Sequence, residues 1–214
     1  MKINKIFVIA LLGCWVVALT GCVRQDVKNI NSRGTNIICF GDSITAGYGV
    51  KPDENYPSLF SKLLNMPVIN AGIEADTSTE GLRRLETDVL ERDPFLVIIE
   101  FGGNDFLDKI PAEETLNNIR QMAERIQEKG AMAAIVDISA DIFLNEYGPL
   151  LSKLAREKGA IFIPKTFSGI IANSHLKVDF LHPNVHGYII IAHRIYRSVL
   201  PYVNQNRILK RFVK

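Results

Sequence analysis

Short apolar runs alternate with amphipathic stretches from Asn36 to Leu200, and this alternation limits the fold more than any other feature of the chain. The runs Asn36–Phe40, Val68–Asn70, Phe95–Phe101, Ala131–Ile138 and Ala160–Ile163 are rich in Ile, Val and Phe and are bounded by turn residues. Strands that are apolar throughout are those of a parallel sheet buried on both faces. The stretches between them space their apolar residues at helical intervals, predicting helices over Tyr56–Leu64, Thr79–Leu90, Ala112–Lys129 and Tyr147–Lys158. Gly130 and Gly159 fit helix stops, and Thr77-Ser78-Thr79-Glu80 fits a capping box. A last helix is predicted from about Asn184 to Leu200, ending at Pro201. The result is an α/β fold in which helices cover both faces of a central parallel sheet of about five strands. Strand order does not follow from the pattern.

With 214 residues, 47% of them hydrophobic, the chain is long enough for one domain with a sizeable core. A net charge of +2 is too small to point to nucleic acid. Much of the positive charge sits at the ends, Lys2 and Lys5 at one and Arg207, Lys210, Arg211 and Lys214 at the other. Residues 202–214 are therefore predicted to be a solvated basic tail.

The start of the chain reads differently from the rest. Lys2 and Lys5 precede an apolar run from Ile6 to Leu19, shorter than the roughly 20 residues of a spanning helix. Leu19-Thr20-Gly21-Cys22 follows and resembles the lipobox of bacterial lipoproteins, in which the cysteine receives lipid and becomes the new N-terminus. The expected organisation is a signal peptide over 1–21, a lipid-anchored tether over 22–35, one globular domain over 36–201 and the basic tail. It places the chain in the bacterial envelope, exported and held to a membrane through Cys22. The alternatives are a plain anchor or a cleaved secretory signal. Cys14 would leave with the signal and Cys39 lies in the first strand, so no intrachain disulfide is expected.

Ligands of such sheets bind outside the carboxyl ends of the strands, and the chain places its unusual residues there. Gly41-Asp42-Ser43 follows the first strand, Ala71-Gly72 the second and Gly102-Gly103-Asn104-Asp105 the third; Asp179-Phe180-Leu181-His182 precedes the last helix. Acyl transfer requires this kind of set. A serine hydroxyl needs a base to take its proton, usually a histidine whose tautomer is fixed by a carboxylate. A developing oxyanion needs neutral donors, which the N–H groups of Ser43 and Gly72 and the Asn104 amide can supply. Asp42 and Asp105 are expected to make structural hydrogen bonds.

These four blocks resemble the SGNH, or GDSL, hydrolase family over nearly all the chain after Cys22. The resemblance implies a flavodoxin-like three-layer α/β/α fold, with Ser43 as nucleophile, His182 as base, Asp179 orienting it, and Ser43, Gly72 and Asn104 as the oxyanion hole. Asn70-Ala71-Gly72-Ile73, Asp76-Thr77-Ser78, Gly81-Leu82-Arg83-Arg84-Leu85 and Glu100-Phe101-Gly102-Gly103-Asn104-Asp105 are similar to the bacterial acyl-CoA thioesterase I, lysophospholipase and arylesterase group. That similarity implies ester, thioester or lipid substrates and no metal or other cofactor. Asp137 to Phe143 looks shorter than the loop that often helps form the acyl pocket in that group. Two other readings stand beside this one: O-deacetylation of a cell-envelope glycan, and a non-catalytic envelope-binding lipoprotein. His182 and His186 are spaced as a metal pair could be, but no HExxH motif or cysteine cluster accompanies them.

Overall fold

The structure is a computed structural model that describes residues 26–140 and 144–212. The predicted signal peptide and lipid-bearing Cys22 lie outside these residues.

Five parallel strands form one sheet in the order β2-β1-β3-β4-β5. They are β1 (Asn36–Gly41), β2 (Val68–Gly72), β3 (Pro94–Glu100), β4 (Met132–Val136) and β5 (Ile161–Ile163). β3 and β4 are buried at every position, which accounts for their unbroken apolar sequences. The helices are α1 (Ser43–Ala46), α2 (Tyr56–Leu64), α3 (Ser78–Asp88), α4 (Gly103–Leu107), α5 (Ala112–Glu128), α6 (Tyr147–Lys158) and α7 (Val185–Phe212). α2 packs against α7, while α3 packs against α5 and α5 against α6. β1 sits in register between β2 and β3, with Gly41 opposite both Gly72 and Glu100. The strand order reverses at β1, so the crevice of a doubly wound sheet opens where β1 and β3 end.

Local signals set most boundaries. Asn55 caps α2, its side chain accepting from Ser58 N–H at 2.9 Å. The Thr77–Glu80 capping box opens α3. Gly159 ends α6 at φ +62.

Two predicted boundaries are corrected. The segment assigned as tether packs against the domain from Val27 onward. Val27 is buried, Lys28 N–H bonds to Gly159 O, and Asn29 Nδ2 donates to the Gln127 and Ala131 carbonyls. Within it the Asn29 amide caps backbone carbonyls at the amino edge of the sheet, while Lys28, Asn31 and Arg33 stay exposed. The last helix also does not stop at Pro201. α7 runs on to Phe212, burying Val203 and Asn206. A proline inside a helix costs about 3 kcal/mol, but here Arg197, which loses its bonding partner, is exposed to water. Tertiary contact offsets the rest: Asn206 Nδ2 donates to the carbonyls of Ile30 and Ser32 at 2.8 and 3.0 Å. The basic tail is therefore the last three turns of a packed helix.

Candidate active site

The serine turn is built by close backbone approach. A Cβ on Gly41 would lie 2.2 Å from Thr45 Oγ1 and 2.5 Å from Glu100 O, so only glycine ends β1 here. Asp42 then caps α1, Oδ1 accepting from Ile44 N–H at 2.9 Å. Ser43 becomes the first residue of a helix, where backbone N–H groups have no intrahelical partner. Its hydroxyl lies 3.0 Å from His182 Nε2.

The imidazole comes from the loop before α7. His182 Nδ1 lies 2.8 Å from Asp179 Oδ2, while Asp179 Oδ1 accepts from the N–H groups of Leu181 and His182, each at 2.8 Å. Desolvation acts to raise the Asp179 pKa, but the backbone and imidazole bonds of His182 and the Leu181 N–H together outweigh it and hold the carboxyl at about 2. The Asp179 carboxylate therefore stays charged beside the imidazole at neutral pH. The ring of Tyr48 lies against His182, centroids 4.2 Å apart, and covers one face of it. The structure thus brings together Ser43, Asp179 and His182 as the sequence predicted. Tyr48 was not foreseen, although it sits in the same Gly-Tyr-Gly turn.

Gly72 does not join them. Its N–H donates to Asn70 Oδ1 at 2.9 Å. A Cβ there would lie 2.1 Å from Ala46 N, so this glycine serves the packing of α1 against β2. The residue that reaches the cavity is Ala75, in the left-handed region at φ +64. That conformation costs a non-glycine residue about 1–2 kcal/mol. The N–H groups of Ser43 and Ala75 have no partner among the described residues. Asn104 also lines the cavity. Its amide donates to Asp76 O at 2.9 Å and makes only a long contact, 3.4 Å, with Asp42 Oδ2. A glycine at position 75 would have advertised the positive φ in the sequence; alanine conceals it.

A polar layer underlies the turn. Glu100, the one charged residue of β3, is buried; Thr45 Oγ1 donates to its Oε2 at 2.8 Å, and its carboxyl also bonds Asp42. Burial pushes the Asp42 carboxyl up to about 6. Burial, reinforced by the neighbouring Asp42 charge, pushes Glu100 well above the carboxylate range. Arg84 pins the ends of two strands, donating to Gly41 O at 2.9 Å and Ala71 O at 2.8 Å while pairing with Asp76 and Asp88. Asp105 is fully buried and accepts from Ser78 N–H and Thr115 Oγ1, tying α4 to α3 and α5.

Above this layer opens a cavity of about 400 Å³. Ser43, Ala75, Asn104 and His182 stand along it, and Ile44, Phe106, Leu107, Ile138, Leu144 and Phe167 make much of the remaining wall. The loop after β4 contributes Ile138 and Leu144; residues 141–143 of that loop, part of the stretch read as shortened, lie outside the described residues. Among the described residues no group of three or more His, Cys, Asp or Glu side chains is placed to hold a metal.

Known proteins share this organisation. The chain is 26% identical to Esterase TesA of Pseudomonas aeruginosa over 77% of its own length and 88% of that protein. It is 30% identical to an arylesterase of Vibrio mimicus, covering 69% and 79%. A Bacillus subtilis protein named uncharacterized lipoprotein YqeF is 31% identical over 47% of this chain and 41% of its own. Among solved structures, a crystal structure of TesA superposes with a TM-score of 0.73 at 25% identity, covering 78% of this chain and 99% of that one. Residues 39–190 match the family described as GDSL-like Lipase/Acylhydrolase. The chain is a member of that family of ester-hydrolysing enzymes.

Proposed function

We propose that this chain is a lipid-anchored serine hydrolase that cleaves carboxylic esters or thioesters of apolar acyl groups through an acyl-enzyme on Ser43. The observation that carries this reading is the chain of contacts from Ser43 Oγ to His182 Nε2 at 3.0 Å and from His182 Nδ1 to Asp179 at 2.8 Å, on the wall of an apolar cavity. His182 accepts the Ser43 proton as Oγ attacks the acyl carbonyl, and Asp179 holds the imidazole and offsets the charge it gains. The oxyanion is received by the N–H groups of Ser43 and Ala75 and by the Asn104 amide. His182 then protonates the departing alcohol or thiol, and in the second half-reaction it deprotonates the water that releases the acid. Ala75 takes the place that the sequence reading gave to Gly72.

The anchor is part of the same proposal. Lys2, Lys5, the apolar run to Leu19 and the box ending at Cys22 support lipidation and export, as does the name of the Bacillus relative. No described helix is long and apolar enough to cross a membrane.

Hydrolysis of p-nitrophenyl esters from acetate to palmitate, with Ser43→Ala beside the parent, tests the catalytic reading. The expected result is a maximum beyond acetate and a loss of about 10⁴-fold or more in the variant. Activity confined to acetate turns the reading to glycan deacetylation, and equal rates in variant and parent overturn the role of Ser43.

A further inference from the structure

The amino edge of the sheet carries a cluster of basic side chains at the end of α7. Segments at the amino edge are fixed there by bonds that precede the strands: Thr35 and Asn36 N–H to Asp93 O, Lys28 N–H to Gly159 O, Asn29 to Ala131 O. The end of α7 reaches the same edge, with Lys210 Nζ 4.9 Å from the Phe95 ring centre and 3.5 Å from Gly34 O. α7 contains no acidic residue, and its last turns present Arg207, Lys210 and Arg211 around the exposed Ile208. Lys28 and Arg33 are exposed at the same edge, as are Asp26, Glu91 and Asp93. Around the cavity mouth the charges are mixed: Glu74, Asp108 and Asp179 are exposed, as is Lys109, and Lys177 Nζ donates to Phe180 O at 3.1 Å.

We infer that this basic foot rests on an anionic phospholipid surface and that the mouth of the active site points away from the membrane holding the anchor. The inference rests on the reading that Cys22 carries lipid. α7 runs from beside the His182 loop to the foot, and its 28 residues span about 42 Å. The chain from Cys22 to the packed Val27 reaches at most about 17 Å in any conformation. A leash that short, fixed at the foot, does not let the domain turn over and bring its mouth to the anchoring bilayer. Basic side chains attract an anionic surface within a Debye length, and Ile208 enters the headgroup layer. The substrate class follows from the geometry: acyl esters that arrive from the aqueous side or from a structure facing the membrane, not lipids lying in the anchoring leaflet.

The test places a fluorophore at the foot through Lys129→Cys or near the mouth through Lys109→Cys, both exposed positions. The processed chain is reconstituted in phosphatidylcholine–phosphatidylserine vesicles with a headgroup acceptor. Energy transfer should be strong from position 129 and weak from 109. The contrast should shrink when Arg207, Lys210 and Arg211 are replaced by Glu or when phosphatidylserine is omitted. Transfer from 109 equal to or above that from 129 overturns the inference, as does a contrast that ignores both charge changes. Mass analysis of the N-terminus and the Cys22→Ser variant judge the anchor separately. Without lipid, the chain should still bind anionic vesicles, losing about fivefold per basic side chain removed. No binding by the unlipidated chain and no contrast in the lipidated one reject the foot while leaving the anchor intact.

Discussion

The amino edge of the sheet closes its backbone, whereas the carboxyl edge leaves its backbone open. At the amino edge amide side chains donate to carbonyls of neighbouring segments: Asn29 to Gln127 and Ala131, Asn36 to Arg92, Asn206 to Ile30 and Ser32, Gln127 to Lys158. The closure leaves two acceptors, Ser32 Oγ and Gln127 Oε1, without partners among the described residues. At the carboxyl edge the N–H groups of Ser43 and Ala75 have no partner among the described residues, and Ala75, itself exposed, is held in a costly conformation. Ser43 is buried, and buried backbone groups are normally satisfied, so its open donor at the wall of a cavity marks a place reserved for another molecule. One edge is organised for stability and the other for chemistry.

Substitutions at the two edges should therefore separate activity from stability. The largest effect is expected at His182→Gln, which removes the base; the turnover rate of a p-nitrophenyl ester should fall by about 10⁴ or more, with an unchanged unfolding midpoint in urea. Asn104→Ala should lower the same rate by about 10²–10³, as loss of one oxyanion donor does. A smaller loss would assign most of the work to the two backbone donors. Asn206→Ala should show the reverse pattern. It leaves the Ile30 and Ser32 carbonyls unpaired and should cost about 1–3 kcal/mol of stability without changing the catalytic rate. A drop in rate as large as that of Asn104→Ala would break the separation.

The smallest expected effect concerns the layer beneath Ser43. Asp42 has a folded-state pKa of about 6, above its unfolded value near 4. The folded chain therefore holds this proton longer than the unfolded chain. The stability it contributes is present below about pH 4 and is lost as the pH rises through 6. Urea midpoints should decline between pH 4 and 7, and Asp42→Asn should lessen that slope without abolishing it, because Glu100 is shifted in the same direction. An unchanged slope in the variant would place the titration elsewhere.

The parts of this organisation that were legible in the sequence are those written in local pattern. Apolar runs such as Phe95 to Ile99 announce buried parallel strands, and the capping box at Thr77 announces a helix start. Ser43, Asn104, Asp179 and His182 stand where strand ends or the last loop must deliver them. The hidden parts depend on contacts between distant segments. Pro201 reads as a stop until Asn206 finds the carbonyls of Ile30 and Ser32. Residues 22–35 read as a tether until Asn29 reaches the carbonyls of Gln127 and Ala131. Gly72 reads as a donor until the backbone of α1 comes to lie on it, and Ala75 carries no mark of its positive φ. Glu100 falls inside the predicted strand Phe95–Phe101 with nothing to mark its role, because its bonds to Thr45 and Asp42 are set by the packing of α1.

Both ends of the described chain, Asp26 and Phe212, emerge at the same edge, opposite the cavity. A reporter or affinity handle added at the carboxyl end will stand clear of an incoming ester and leave turnover intact. The same addition will act as a wedge beneath the domain, so a bulky carboxyl-terminal fusion is expected to keep its catalysis while losing its seat on a charged bilayer.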